Sequence, residues 1–430
     1  MREPPGQIAA EIRQAPAGAR PLPDSDPILV ERLRAEIAAT GPLTFARFMS
    51  VALADPEHGY YATSDERPTR TGDFLTAPEL HPIFGATLAR AVEEMWRAMD
   101  RPAGFALREY GAGSGRLAID LLEGLRAQGS ELLEVLGYEP VDIVPARAER
   151  VRQRLADAGF GPTVAGSASP RPAAGCVIAN EFLDALPVHR LVAQDGRLRE
   201  IYVGWAEGGN DEGDDEAGDA DANVAGDEAG KRVDEHGGRF VDVVGEPSTP
   251  VLADRLAAEQ VRLADGQRAE VCLALDAWAA DISEAFRAGF ALILDYGRPA
   301  AQLYGPSRPA GTLLAYASHR AHDDPYVAVG RQDLTAHVDF TAVERAVGSH
   351  GWRALGLTTQ AEFLVGSGLS DLLAGRRADP GLSAADYLAL RSSIGRLLDP
   401  VALGGFRALV LGREVPGDAR LAGLGYRVRG

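Results

Sequence analysis

The sequence is poor in cysteine, lysine and long apolar runs. Its 430 residues contain two cysteines, Cys176 and Cys272, too few for a disulfide scaffold, a four-cysteine zinc site or a three-cysteine iron–sulfur site within one chain. No apolar run reaches the roughly 18 residues of a membrane-spanning helix, and the first 25 residues lack a hydrophobic signal core. Lys231 is the only lysine, an arginine bias typical of a GC-rich genome. We therefore predict a protein of the bacterial cytoplasm with no membrane insertion.

The net charge of −18 is concentrated in one segment. Residues 207–235 contain twelve acidic and two basic residues, a net charge of −10, which leaves −8 for the remaining chain. The segment has few large apolar side chains, so we predict a disordered acidic insert, with a role as a docking segment as the alternative. The charge argues against a nucleic-acid partner bound by a broad basic surface.

Short apolar strands alternate with helical segments along much of the chain. This alternation predicts an α/β fold with a parallel, doubly wound sheet. The predicted strands of this sheet are 105–110, 132–138, 163–165, 175–179 and 290–295, and the predicted helices between them include 117–125 and 144–158. Residues 188–192 and 199–203 alternate like a pair of antiparallel strands.

A glycine-rich turn follows the first of these strands. Gly111, Gly113 and Gly115 give the spacing G-x-G-x-G, whereas a dinucleotide fingerprint needs glycine at position 116, which is Arg116. The spacing resembles the first motif of S-adenosylmethionine methyltransferases, in which an acid before the glycines, here Glu109, anchors the methionine end of the cofactor.

Glu139 lies near the end of the second predicted strand, where an acid can accept hydrogen bonds from both ribose hydroxyls. The alternative is an ordinary αβ turn in which Glu109 and Glu139 are surface acids.

A second polar segment, N-E-F-L-D-A-L-P at 180–187, directly follows the buried strand 175–179. Ligands of open α/β sheets bind at the carboxyl ends of the strands, so this segment is expected to face the same crevice as the glycine turn. On a helical turn Glu181 and Asp184 would share a face, where paired carboxylates could hold a planar guanidinium. The alternative is that Asp184 caps a short helix and Glu181 is solvated.

Several motifs together resemble the MidA/NDUFAF7 type of methyltransferase. They are G-D-F-L-T-A-P-E-L at 72–80, E-Y-G-A-G-S-G at 109–115, N-E-F-L-D-A-L-P at 180–187, D-Y-G at 295–297, G-T-L-x-x-Y-x-x-H at 311–319 and D-L-T-A-H-V-D-F at 333–340. Their order along the chain agrees with that of the family. The resemblance covers roughly residues 28–412.

The resemblance implies a Rossmann-like class I methyltransferase fold, with a mostly parallel sheet, added helical elements and S-adenosyl-L-methionine as the cofactor. It also implies a protein arginine N-methyltransferase that performs symmetric dimethylation, with a protein substrate such as a respiratory complex subunit and with a homodimer as a candidate assembly. Two alternatives stay open: methylation of oxygen or nitrogen in a small molecule, and an assembly factor that binds S-adenosylmethionine without turnover.

The resemblance also assigns roles to residues. The cofactor-binding set comprises Gly72, Asp73, Phe74, Thr76, Glu109, Gly111, Gly113, Gly115, Glu139 and Asn180. The catalytic set is Glu181, Asp184 and His337, and the acceptor-binding set is Asp295, Tyr296, His319 and Asp339. For Thr76 the alternative is a helix cap, and for His337 it is a hydrogen-bonded structural histidine. No metal site is expected, because the pair His319 and His322 lacks a helix to present it.

The expected organisation follows from these assignments. We expect a flexible N-terminal tail (1–23), a helical and loop region covering the cofactor (24–104), a cofactor-binding core (105–206), the acidic insert (207–235), the remainder of the catalytic domain with acceptor-side elements (236–412) and a C-terminal tail (413–430).

Overall fold

The computed structural model describes residues 21–63, 76–165, 173–207, 237–318, 320–377 and 381–427. Most of the predicted N-terminal tail and nearly all of the predicted acidic insert lie outside these residues. Within them, no helix is both long and apolar enough to cross a bilayer.

The described residues form short strands and helices in alternation. The strands are β1 Leu43–Thr44, β2 Phe105–Tyr110, β3 Leu136–Val141, β4 Ala174–Asn180, β5 His189–Gln194, β6 Arg197–Glu207, β7 Gly238–Gly245, β8 Arg268–Val271, β9 Ala288–Asp295, β10 Gly297–Arg298, β11 Leu314–Ala317, β12 Arg320–His322, β13 Asp333–Thr335, β14 Val338–Asp339, β15 Arg353–Thr359 and β16 Arg407–Arg413. The α-helices are α1 Pro27–Thr40, α2 Phe45–Ala54, α3 Tyr60–Thr63, α4 Ala77–Leu80, α5 Ile83–Ala98, α6 Arg116–Ala127, α7 Leu132–Val135, α8 Pro145–Leu155, α9 Gly161–Ala165, α10 Val251–Ala258, α11 Ala274–Ala285, α12 Ala300–Leu303, α13 Phe340–Gly348, α14 Gln360–Gly366, α15 Leu369–Arg377, α16 Ala384–Leu398 and α17 Ala422–Gly425.

The main sheet has the strand order β15-β16-β9-β4-β2-β3. Strands β3, β2, β4 and β9 run parallel, and β16 and β15 are antiparallel additions at one edge. The chain first moves outward from β2 to β3 and then returns to the other side of β2 with β4. The strand order therefore reverses between β2 and β4, which is where doubly wound sheets open a ligand crevice. The predicted α/β class with a mostly parallel, doubly wound sheet is confirmed.

Helices cover both faces of this sheet. The apolar sides of α5 and α6 pack on one face, and α11 and α13 pack on the other. Strand β9 shows why the sequence requires two layers: residues 290–294 are all apolar and all 0% exposed, so neither face of the strand can be left open to solvent.

A second, antiparallel sheet packs against the N-terminal helices. Its order is β1-β6-β5-β8, with β7 also paired to β6, as the alternation at 188–192 and 199–203 predicts. Helix α1 begins at Asp26, whose carboxylate accepts hydrogen bonds from two backbone N–H groups, and α2 begins at Thr44, whose hydroxyl oxygen accepts one. Strands β6 and β7 are joined so that Glu207 lies directly opposite Gly238.

The structure corrects two predicted strands. Residues 132–138 divide into helix α7 and the first half of β3, which continues to Val141; the apolar run has no period that separates a helix from a strand. Residues 163–165 belong to helix α9, so β3 and not a further strand lies at this edge of the sheet. In the predicted C-terminal tail, β16 extends to Arg413 and α17 packs on α14, with Gly423 against Phe363.

We expect the substitution Gly175→Ala to destabilise the main sheet. An added Cβ would lie 2.5 Å from the Phe286 ring and 2.6 Å from the backbone oxygen of Ala106, and the oxygen cannot move without breaking the sheet. The expected loss is about 2–3 kcal/mol of unfolding free energy, measured by chemical denaturation. Gly104→Ala is the matched control, because nothing lies within 4 Å of its added Cβ. Equal effects of the two substitutions would contradict this account of the packing.

Candidate active site

The glycine turn lies at the carboxyl end of β2 and leads into α6. Gly111, Gly113 and Gly115 have φ angles of 69°, 51° and 76°, a left-handed conformation that favours glycine. An added Cβ would lie 3.0 Å from the side chain of Phe182 at Gly111 and 3.1 Å from that of Val151 at Gly115. The backbone therefore follows a path that side chains would obstruct.

Glu109 lies at the end of β2, just before this turn. It is 5% exposed and accepts a hydrogen bond from the Tyr138 hydroxyl. Burial raises the pKa of Glu109 to about 7, although the hydrogen bond from Tyr138 lowers it; the charge of Asp142 raises it further. The position agrees with the predicted role at the methionine end of the cofactor, which stays a prediction.

The two acids near the end of β3 have different surroundings. Glu139 forms an ion pair with Arg108 at 2.9 Å, on the sheet face opposite Glu109. Asp142, the first residue after the strand, accepts hydrogen bonds from the backbone N–H groups of Gly113 (3.2 Å) and Val144 (2.9 Å). Asp142 therefore fixes the glycine turn directly.

The sequence prediction missed Asp142 because it placed the end of the strand at Tyr138. The observed strand extends to Val141, so the acid that follows the strand end is Asp142 and not Glu139. The signal that could have found it is an acid that directly follows the last strand residue, provided the register is known.

Glu181 follows β4 in a conformation unusual for a side chain of its size. Its φ is 49°, and its backbone N–H donates to the oxygen of Leu294 at 2.8 Å. Its Oε1 accepts from the backbone N–H of Ala77 (3.0 Å) and from Asn180 Nδ2 (3.2 Å), while its buried Oε2 has no hydrogen-bond partner among the described residues. Glu181 is therefore not solvated, and the prediction that it shares a helical face with Asp184 is wrong, because only a 3-10 turn over residues 183–185 forms here.

Asp295 organises this turn from the end of β9. Its Oδ2 accepts from the backbone N–H groups of the three residues 182–184 at 3.2, 2.9 and 3.3 Å, and its Oδ1 accepts from that of Tyr296 at 2.9 Å. The side chain is 0% exposed. Burial and the charges of Asp184 and Glu181 raise the pKa of Asp295 well above its usual range. Its contacts are those of a positioning residue for the segment that carries Glu181 and Asp184.

Asp184 lies among tyrosine side chains. Burial raises the pKa of Asp184 to about 6, and a hydrogen bond from Tyr296 opposes that rise; its Oδ1 is buried and has no partner among the residues that the structure describes. Burial, followed by nearby acids that include Asp184, raises the pKa of Tyr61, Tyr296 and Tyr316. Asp184 therefore lies in a buried acidic cluster bordered by tyrosine side chains.

The sequence prediction missed part of this cluster. The Tyr61 hydroxyl donates to Asp333 at 3.0 Å, and Asp333 pairs with Tyr316 across β11 and β13. Asp333 begins the D-L-T-A-H-V-D-F motif, so the motif itself was the available signal. Tyr61 comes from the N-terminal region, and nothing local in the sequence places it here.

His337 lies beside Tyr296, with the two rings edge to face at 5.1 Å. Burial, with the charges of Arg308 and Arg298, lowers the pKa of His337 to about 4. Its Nδ1 lies 3.4 Å from the Arg308 guanidinium. The ring is therefore neutral at physiological pH, and its assignment as a proton acceptor stays a prediction.

The contacts of Asp339 differ from those of Glu181, Asp184 and Asp295. Its Oδ1 accepts from the backbone N–H groups of Thr341 and Ala342 and so caps α13. Its charge also acts on Glu259 and Tyr304, where it adds to the effect of burial in raising the pKa of each side chain. It lines a small cavity of ≈ 20 Å³ that His337 also lines. These contacts favour a structural role over the predicted contact with the acceptor.

The segment before α5 lies over the crevice. Thr76 is at the N-cap position of α4 but makes no side-chain capping bond, so the capping alternative is wrong. The backbone N–H of Ala77 binds Glu181 instead, and Glu79 accepts a hydrogen bond from the Ser114 hydroxyl at 2.9 Å. The other predicted residues of this motif, Gly72, Asp73 and Phe74, lie outside the described residues, as does His319.

Three buried acceptor atoms at the carboxyl end of β4 have no hydrogen-bond partner within the described part of the chain. They are Asn180 Oδ1, Glu181 Oε2 and Asp184 Oδ1. Buried acceptors are costly when unpaired, so they fit a ligand that brings donors or positive charge. An ammonium, a sulfonium and ribose hydroxyls meet this requirement, and the glycine turn and Glu109 flank the same crevice. The residues present therefore fit S-adenosylmethionine.

A glycine turn at the switch point of a parallel sheet, followed by acceptors after the neighbouring strand, defines a Rossmann-like methyltransferase. Comparisons with known proteins agree. Residues 87–358 match a family described as "Putative S-adenosyl-L-methionine-dependent methyltransferase". A solved structure from Burkholderia thailandensis, bound to S-adenosyl-homocysteine, is 31% identical and has a TM-score of 0.75, covering 94% of this chain and 97% of that one.

Relatives of assigned activity extend the comparison. The mitochondrial protein arginine methyltransferase NDUFAF7 homolog of Drosophila melanogaster is 30% identical, over 75% of this chain and 70% of the relative. Human NDUFAF7, also named a protein arginine methyltransferase, is 27% identical over 81% and 75%. The chain belongs to the MidA/NDUFAF7 family of S-adenosylmethionine-dependent methyltransferases, and S-adenosylmethionine is its cofactor.

We expect Asp142→Asn to weaken binding of S-adenosylhomocysteine about tenfold more than Glu139→Gln does. Asp142 holds the backbone of Gly113 through a charge-assisted bond, whereas Glu139 pairs with Arg108. Isothermal titration of both variants measures the difference. A larger loss from Glu139→Gln would restore Glu139 as the principal acid of the cofactor site.

We expect Glu181→Gln to stabilise the protein increasingly between about pH 5 and pH 8. Burial raises the pKa of Glu181 from 4.5 to about 8, so the folded state binds its proton more tightly than the unfolded chain and loses stability as the pH rises through this window. Glutamine cannot ionise, yet its oxygen can still accept from Ala77.

Thermal unfolding across this pH range should show a gain on the order of 4 kcal/mol at pH 8 and about 1 kcal/mol near pH 5. Glu123→Gln, an exposed carboxylate on α6, controls for the loss of one charge. Parallel pH profiles for the two variants would contradict the assignment.

Proposed function

We propose that this methyltransferase modifies an arginine side chain of a protein. The observation that carries the proposal is a pair of buried oxygens, Glu181 Oε2 and Asp184 Oδ1, for which the described residues 21–63, 76–165, 173–207, 237–318, 320–377 and 381–427 supply no partner. A guanidinium presents several N–H donors in one plane and a permanent positive charge, so it can satisfy both carboxylates together. A neutral hydroxyl acceptor would leave the negative charge uncompensated.

The electrostatics of the cluster suit a cation. Burial raises the pKa of Glu181 to about 8 and that of Asp184 to about 6, and the charge of Asp184 contributes to the shift at Glu181. A guanidinium placed between them would favour the ionised form of each and lower both pKa values. The rings of Tyr61, Tyr296 and Tyr316 add surfaces on which a planar cation can rest.

The acids of the site have different roles in methyl transfer. When bound, the cofactor would supply an electrophilic methyl group on a sulfonium sulfur, and S-adenosylhomocysteine would be the product that leaves. Glu181 and Asp184 would hold the acceptor nitrogen of the guanidinium in line with the methyl group, and one of the two carboxylates would accept the N–H proton that this nitrogen loses. Most of the rate gain would come from this positioning and from charge stabilisation. Asp295 keeps both carboxylates in place through the backbone.

The relatives support a protein acceptor. Several are named protein arginine methyltransferases at 27–30% identity. Symmetric dimethylation, a respiratory complex subunit as substrate and a homodimer remain hypotheses from the family resemblance, as does a location in the bacterial cytoplasm.

The substitution Asp184→Asn should lower kcat about 10²- to 10³-fold and leave the Kd for S-adenosylhomocysteine within about threefold, because the lost charge acts on the acceptor. Asp254→Asn, an exposed residue of α10, is the control. Transfer of radiolabelled methyl groups to an extract of cells that lack the protein measures the rate.

Amino-acid analysis of the labelled extract identifies the acceptor. We expect label in ω-N-methylated arginines, which disappears with Asp184→Asn. Label in low-molecular-mass compounds would replace the proposal by small-molecule methylation. Tight binding of S-adenosylhomocysteine without any labelled product would favour an assembly factor without turnover.

A further inference from the structure

Helix α4 is tied at two points to the two motifs that border the crevice. The backbone N–H of Ala77 donates to Glu181 Oε1 at 3.0 Å, and the Ser114 hydroxyl donates to Glu79 Oε1 at 2.9 Å. Ser114 belongs to the turn after β2, and Glu181 follows β4, the adjacent strand. Because the strand order reverses between these two strands, the two bonds hold α4 across the switch point itself.

Among the described residues, no contact close in sequence takes the place of either hydrogen bond. Thr76 supplies no side-chain cap, so the first N–H group of α4 depends on a carboxylate 104 residues further along the chain. Ala77 is 0% exposed and packs into the apolar core beside Ile83 and Phe84. Glu79 and Glu181 therefore attach α4 to the crevice motifs, while its last residue, Leu80, accepts a hydrogen bond from the Ser393 hydroxyl at 3.3 Å.

Glu79 reaches the start of α6. This helix begins at Arg116 and has Gly115 at its cap position, which offers no side chain. A carboxylate near a helix N-terminus is favoured by the helix dipole. The charge of Glu79 also acts on Asp120 in the second turn of α6. There it adds to the effect of burial in raising the pKa of Asp120.

We propose that Glu79 and Ser114 form a positioning pair that fastens α4 as a strap over the cofactor, and that release of this pair sets the rates at which the cofactor enters and leaves. Neither residue then needs to touch the cofactor. The inference is independent of the identity of the methyl acceptor.

The strap model makes a kinetic distinction. Both attachments join protein to protein, so they restrain α4 whether the cofactor is entering or leaving. Weakening one attachment increases the fraction of time that the strap is released, and the association and dissociation rates rise by the same factor. Their ratio, the Kd, then changes little. A residue that contacts the cofactor directly would raise only the dissociation rate and would raise the Kd with it.

The test is stopped-flow measurement of S-adenosylhomocysteine binding to Glu79→Ala, Ser114→Ala and the double variant. Each single variant should raise both rates about tenfold, the effect of losing one hydrogen bond to a charged group, with the Kd within about threefold. The double variant should be no faster than either single variant, because both changes remove the same bond. Glu123→Ala on α6, whose carboxylate pairs with Arg126, controls for the lost charge and should leave both rates unchanged.

Three results would overturn the proposal: unchanged rates in both single variants, a rise in dissociation alone with a matching rise in Kd, or additive effects in the double variant. A purely structural role would lower the melting temperature of the protein without changing either rate. If Glu79→Ala fails to fold, Ser114→Ala removes the same bond from the other side and decides the question alone.

Discussion

The geometry of the site depends on the carboxylate of Asp295. It lies at the end of the central strand β9 and accepts four backbone hydrogen bonds, three of them from the turn that follows β4. A buried carboxylate without such donors would be strongly unfavourable, so the turn and the acid stabilise each other. If the turn moved, Glu181 would leave its left-handed conformation, and Glu181 Oε2 and Asp184 Oδ1 would both change position.

The platform beneath this interaction is rigid because it is buried on both sides. Strand β9 lies between β4 and β16, and its apolar residues fill the cores above and below the sheet. Side chains at the end of such a strand can be held more precisely than side chains on a loop. The acids of the cluster are therefore presented from the stable part of the fold, while α4 and the N-terminal helices close it from outside.

Local signals in the sequence were enough for the framework. The glycine spacing at 111–115 and the strands at 105–110, 175–179 and 290–295 each depend on neighbouring residues, and each is found where it was predicted. The errors arose where the decisive partner is distant or the period is ambiguous. The apolar run at 132–138 fits a helix or a strand. Because the strand was predicted to end at Tyr138, the sequence prediction selected Glu139 instead of Asp142.

Long-range partners explain the remaining differences at the site. Glu181 binds Ala77, Tyr61 binds Asp333, and His337 lies against Arg308. No window of sequence contains both members of the first two pairs. The family motifs contain most of the residues that lie at the crevice, but only the folded chain distinguishes an acid in the buried cluster from one that caps a helix, as Asp339 does.

The pairing of Glu207 with Gly238 has a consequence for how the chain can vary. The two ends of the intervening segment are fixed beside each other by the ladder of β6 and β7, so its length does not alter the register of either strand. The entropy of closing a loop grows only logarithmically, about 0.6 kcal/mol for each doubling in length. This hairpin end is thus a place where insertions can accumulate during evolution at small cost to folding.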